Sequence, residues 1–365
     1  MQKDMHYSAL YVLGRLAGIK KYESFRIAAA SELVDESRQS KLLKIPTGHR
    51  IDVVTTSHAA VNVKNVLATE QRYIWVPFHF IPGNEGTSEN ERFMCRKDSQ
   101  ISKEIMEHFF VDYYQEKFGL SYLGIAFHIY MDTFSHYGFS GLKSEANHIK
   151  NESIIILNEE EIYKRYKALY NHPKGARRFF SKLGYLMGDK IESVSELMGE
   201  KTGAIGHSAA GHLPDFPYVS WQYSYQFKGE IREVVRHNSL DFLEACEKVF
   251  ALLKRVRDVR PDIFEESIIK DFTEISKDVS EILQTPGRRG VRIKLWQRLL
   301  EKYSNLLEEV DWKPVPLKEK VELFAEELKG KDLGEHPRYQ FYQAAHLTQV
   351  YILRNVLPKY KLFAI

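Results

Sequence analysis

The run GLSYLGIAFHIYMDTFSHYGFSG at residues 119–141 is apolar on nearly every face, yet it carries His128, Asp132 and His136 at four-residue spacing. Steps of four on a helix rotate each side chain only about 40° from the last, so the three polar groups share one stripe. Burying two imidazoles and a carboxylate on that stripe without partners is costly. A divalent cation satisfies their lone pairs at once and favours the ionised Asp132. Nitrogen and oxygen donors without thiolate suit zinc, manganese or iron, and a carboxylate can also bridge two ions. The alternative is an ordinary core histidine pair with Asp132 orienting one ring.

At 365 residues, 44% of them apolar, the chain can bury a large core as one big domain or two. No stretch of about eighteen apolar residues occurs, so no membrane-spanning helix is expected. The opening MQKDMHYSALYVLGRLAG has charge and a histidine where a signal core would be, which makes a cytoplasmic protein the expectation. Cys95 and Cys246 are the only cysteines and lie far apart, so neither a disulfide framework nor a thiolate zinc site is available. A net charge of +3, with cations and acids interleaved, does not argue for nucleic-acid binding. The local basic runs at 174–182 and 288–294 read as solvated helix faces.

Helical periodicity runs through 5–18, 21–36, 99–118 and 119–137, and again through 158–170, 175–200, 219–256, 262–283, 288–308, 315–329 and 338–357. Between the second and third helices the pattern changes. Residues 41–56 contain a Pro-Thr-Gly turn between β-prone runs, and RYIWVPFHFIPGN at 72–84 is aromatic, β-branched and closed by a Pro-Gly turn. A small β-hairpin or irregular insertion near 40–85 is therefore expected within an all-α, multi-helix bundle. Candidate ligands crowd residues 1–225, which read as a metal-binding, catalytic-like region. Residues 226–365 read as a Glu/Lys-rich helical region packed on the first as one large domain. The segment GAIGHSAAGHLPDFPYVSW at 203–221 reads as an ordered loop.

Side chains able to join the triad are Asp4, His6, Asp35, His58, His79, His207, His212 and Asp215. Asp4 also suits a helix N-cap, and Arg96 suits a phosphate or carboxylate clamp. The order of DMHYSALYVLGRLAG, AASELVDES, an intervening His and LGIAFHIYMDTFSH resembles the ligand order of the zinc-dependent phospholipase C family and the related single-strand-specific zinc nucleases. A closer resemblance, over roughly residues 1–225, is to an uncharacterised microbial family with the motifs VDxS, WVPFHFxPGN, CRxDS, LGIAxHxYxDTFSHxGFSG and a GHxxxxxxPDxP loop. The phospholipase-like likeness implies an all-helical fold with metal ligands at His6, Asp35, His128, Asp132 and His136. It implies His79 or His58 as the intervening ligand, with His79 preferred, and His207 with Asp215 as the late pair. Those enzymes use their mature N-terminal amine as a ligand. Here, with no signal segment before Met1, the amine is left out of the expected set and a full trinuclear cluster is not expected.

The absence of a His-Asp dipeptide, HExxH, P-loop, dinucleotide fingerprint or G-x-S-x-G elbow argues against several other chemistries. Two functions are expected from different classes. One is a metal-dependent hydrolase of a small-molecule or lipid-derived phosphoester, with zinc or another divalent metal. In it Asp35 or Asp132 would bridge ions or accept a proton and Arg96 would neutralise developing charge. The other is a non-catalytic helical protein with a structural metal and a partner-binding C-terminal bundle.

Overall fold

The computed structural model describes residues 1–44, 48–58, 62–170, 205–287, 289–304 and 332–363. The expected helices at 175–200 and 315–329 and the basic run at 174–182 lie outside the described residues. The described residues are mostly helical, 62% helix against 11% strand. The longer helices among the described residues are α1 (residues 4–16), α2 (Lys21–Glu36), α3 (68–78), α4 (100–113), α5 (Gly119–His136), α6 (Glu159–Tyr170), α7 (Asn238–Val259), α8 (Ser276–Leu283), α9 (Arg289–Ser304) and α10 (337–359). Among the described residues, no helix is long and apolar enough to cross a membrane.

All eighteen residues of α5 are buried. A helix apolar on every face has no side to give to water, so it sits in the middle, packed by α2, α4, α7 and α10. The approach of α2 is unusually close. A Cβ placed on Gly124 would lie 2.3 Å from the Ile27 carbonyl oxygen, and α2 offers the small Ala30 side chain and the Ser31 backbone at this crossing. One apolar core runs from Met5, Leu13 and Phe127 through Phe242 and Leu253 to Trp296, Phe341 and Leu357. Residues after 226 therefore share their core with those before it.

The insertion contains a hairpin of β1 (Lys41–Lys44) and β2 (Arg50–Val53), paired antiparallel with Lys41 opposite Val53. The β-prone run that follows is helical instead, over α3. It ends where the His79 and Phe80 amides both bond to the Trp75 carbonyl, at 3.1 and 2.8 Å.

A larger departure lies at 219–256, where one long helix was expected. The chain forms β4 (Ser220–Phe227) and β5 (Glu230–His237) before α7 begins, and β3 (Ile155–Ile156) pairs on the far side of β4. SWQYSYQF alternates with period two. Trp221, Tyr223, Tyr225 and Phe227 face a second apolar cluster with Phe80, Phe139 and Leu213, while Ser and Gln face outward. Lys228 and Gly229 both take positive φ, 51° and 84°, which matches the two-residue turn of a tight hairpin.

Candidate metal centre

The polar stripe of α5 faces inward onto groups that arrive from four other segments. Asp132 is the hub. Its Oδ1 lies 3.1 Å from His6 Nε2, on the first turns of α1, and 2.7 Å from the Met1 α-amine. Its Oδ2 lies 3.2 Å from His128 Nε2 and 3.3 Å from His79 Nδ1, at the end of α3. Asp35, near the end of α2, places Oδ1 3.8 Å from His79 Nδ1 and 4.0 Å from His128 Nε2. One turn along α5, His136 Nε2 sits 3.4 Å from Asp215 Oδ1, and His207 Nε2 sits 3.7 Å from Asp215 Oδ2. Among the described residues, three groups of side chains thus offer ligand atoms within 4.8 Å of one another: His6, Asp35 and His128; His79, His128 and Asp132; His136, His207 and Asp215. Bonds of about 2.1 Å in a tetrahedral site put donor atoms about 3.4 Å apart, so this spacing fits cation binding.

The orientation of the rings is as informative as the distances. With the proton assigned to the nitrogen that faces the carbonyl, His128 Nδ1–H donates to the Ser31 carbonyl at 2.8 Å and His136 Nδ1–H to the His79 carbonyl at 2.8 Å. In the same way His79 Nε2–H donates to the Thr56 carbonyl at 2.9 Å and His207 Nδ1–H to the Gly211 carbonyl at 2.8 Å. Each ring is thereby left with a lone pair on the nitrogen that faces the carboxylates, the arrangement that metal-bound histidines adopt. Ser31 reaches His128 only because Gly124 lets α2 come so near. His6 stacks on His128 with ring centres 3.9 Å apart, and Phe80 stacks on His136 at 4.6 Å.

Electrostatics follow from the packing. Burial works to raise the Asp132 carboxyl, but His136, the Met1 amine, His128 and His6 outweigh it and hold the group well below the usual carboxylate range. Asp215 is held low against burial by the amine and His207. Burial, with His128 and the amine beside it, pushes His6 down to about 3, and burial pushes His207 down to about 4. The amine rises to about 11, because Asp132, Asp215 and Asp35 overcome its burial. Against its burial, the Asp132 hydrogen bond and the Asp35 charge raise His79. The ionised carboxylates and the neutral His6 and His207 are in the protonation states a cation requires. Three carboxylates facing one ammonium leave excess negative charge in a largely buried pocket.

The expected ligands His6, Asp35, His79, His128, Asp132, His136 and His207 are all brought together. Asp215 joins them. The Met1 amine, left out of the expected set, lies at the hub, and no residue pattern marks it as a donor. His58 pairs instead with Glu70 at 2.7 Å, and the more exposed His212 stands 3.7 Å from Asp215 at the rim. Arg96 Nε lies 3.3 Å from Glu85. Asp4 does not serve as an N-cap: its carboxylate is fully buried and bound by Arg292. Arg292 belongs to the basic run read as a solvated face, and it is buried because that carboxylate requires it. The backbone carbonyls that orient the rings carry no sequence signal at all.

No curated protein and no solved structure matches the chain. A family model does match, over residues 1–356, and by this near-complete span the protein belongs to the family of unknown function DUF6765.

Proposed function

We propose that the protein is a metal-dependent hydrolase of phosphoester bonds. The observation that carries this reading is that four histidines each direct one ring N–H to a backbone carbonyl and the other nitrogen to a shared set of carboxylates. His6, Asp35, His79, His128, Asp132, His136, His207 and Asp215 would hold one or more divalent ions of the zinc type. Such ions, when bound, supply Lewis-acid polarisation of a phosphoryl oxygen and a water of lowered pKa. The order of these ligands along the chain is the basis of the likeness to zinc-dependent phospholipases C. The substrate class, a soluble or lipid-derived phosphodiester, rests on that likeness.

The chain's own groups have distinct tasks. Asp132 is 1% exposed and gathers His6, His79 and His128, so it is an organiser of the centre. Asp35 is 31% exposed and stands beside His79 and His128, so it is placed to take a proton from an attacking water. His207 at 17% exposure and His212 at 63% flank Asp215 at the other end. This gradient supports a catalytic centre over a closed structural one, because a catalytic site keeps a side open to water and substrate. With Arg96 paired to Glu85, no role is assigned to it.

The test is metal analysis of protein purified without chelator, followed by turnover of bis(nitrophenyl) phosphate before and after chelation. Bound metal with chelator-sensitive turnover is expected. Bound metal without turnover on a broad panel of phosphoesters would favour a structural metal. Protein that takes up no metal would end both readings.

A further inference from the structure

The C-terminal helices hold none of the candidate ligands, yet one of their side chains grips two of the segments that do. Arg292, on α9, is fully buried against the fully buried Asp4. Its Nε donates to Asp4 Oδ2 at 2.6 Å, and its Nη2 donates to Asp4 Oδ1 at 3.2 Å and to Gln2 Oε1 at 2.6 Å. Nη1 donates to the Thr285 and Gly287 carbonyls, each at 3.3 Å, so the turn before α9 fixes the guanidinium in turn. The same guanidinium lies 5.3 Å from the ring centre of Tyr218, three residues after Asp215.

A buried ion pair is poor evidence of stability, since desolvation cancels much of the Coulomb gain and apolar replacements often serve a fold as well. A planar fork contributes register instead. Met1 and His6 lie in the short segment that Arg292 grips at Gln2 and Asp4, and both meet Asp132 Oδ1, at 2.7 and 3.1 Å. Holding that segment from the α9 side sets where the amine and His6 reach Asp132 on the other.

We infer that Arg292 is a positioning residue for the metal centre, holding the N-terminal segment and, through Tyr218, the loop that bears Asp215. The inference rests on the metal-centre reading above. It makes α9 a working part of the site.

The test compares the parent with the double variant Asp4→Leu/Arg292→Met, which replaces the ion pair by apolar groups and removes the fork. Gln2→Ala, which keeps the ion pair and removes one arm of the grip, is a second variant for the case in which the first does not fold. Co2+ is titrated into chelator-stripped protein and followed by its visible absorption. The double variant is expected to melt close to the parent yet bind Co2+ about ten- to a hundredfold more weakly, as for other groups that orient ligands. Its absorption bands should also change shape, which a general loss of stability would not cause. Gln2→Ala should show the same change in smaller degree. Folded variants with the parent's Co2+ affinity and spectrum overturn the inference alone. A parent that takes up no Co2+ overturns the metal centre and the inference with it.

Discussion

Gly124→Ala tests whether the crossing of α2 and α5 sets the geometry of the centre. The added Cβ would stand 2.3 Å from the Ile27 carbonyl oxygen, 2.7 Å from Ala30 Cβ and 3.1 Å from the Ser31 nitrogen. Carbon–oxygen contacts of about 3.3 Å are the normal limit, so the helices must part by about 1 Å. The His128 Nδ1 to Ser31 carbonyl bond, 2.8 Å in this structure, would then stretch beyond hydrogen-bonding range. Overpacking costs about 1–3 kcal/mol and the lost hydrogen bond about 1 kcal/mol, while replacing a helical glycine returns about 1 kcal/mol. The net expectation is a loss of about 1–3 kcal/mol. At about 2.1 cal/mol/K of unfolding entropy per residue, that lowers the melting midpoint of this chain by about 1–4 °C. Freed from its carbonyl, His128 should also weaken metal binding about tenfold or more. Thermal melts of chelator-stripped protein and a Co2+ titration measure the two effects. A variant that melts at or above the parent and binds metal equally well would refute the reasoning, because helix propensity would then be the only force acting at Gly124.

Asp132→Ala should abolish metal retention, since it removes the carboxylate shared by His6, His79 and His128; elemental analysis of the purified variant decides, and unchanged metal content would remove Asp132 from the ligand set. Gly229→Val places a β-branched residue at φ 84° in the β4–β5 turn and should cost about 1–2 kcal/mol in denaturant melts, with bound metal unchanged. Glu91 is depressed to about 2, chiefly because the Ser88 hydroxyl and amide donate to it. Its contribution to stability is therefore present above about pH 4.5 and fades as pH falls toward 2, so Glu91→Gln should lower the neutral-pH midpoint and flatten the acid limb of the stability profile there, the two proteins converging toward pH 2. A Glu91→Gln acid limb that overlays the parent's would show that the Ser88 contacts do not favour the charged form in solution.

The sequence by itself determined the central helix and the stripe on it. Four-residue spacing of His128, Asp132 and His136 in an apolar run is a local property, readable because helix geometry depends on near neighbours alone. His6, Asp35, His79 and His207 were legible only through the order in which they follow one another, since nothing local brings them to Asp132. The β4–β5 hairpin was written in the alternation of SWQYSYQF, but a helical expectation across 219–256 obscured it. Tertiary structure alone decided the rest. It brought the Met1 amine to Asp132 and turned His58 to Glu70. The rings of His79, His128, His136 and His207 were each oriented by a backbone carbonyl, a group that every residue carries and no side-chain pattern marks. The same holds for Arg292 and Asp4, 288 positions apart: a charge in a basic run looks solvated until folding removes its water and leaves a carboxylate as its partner.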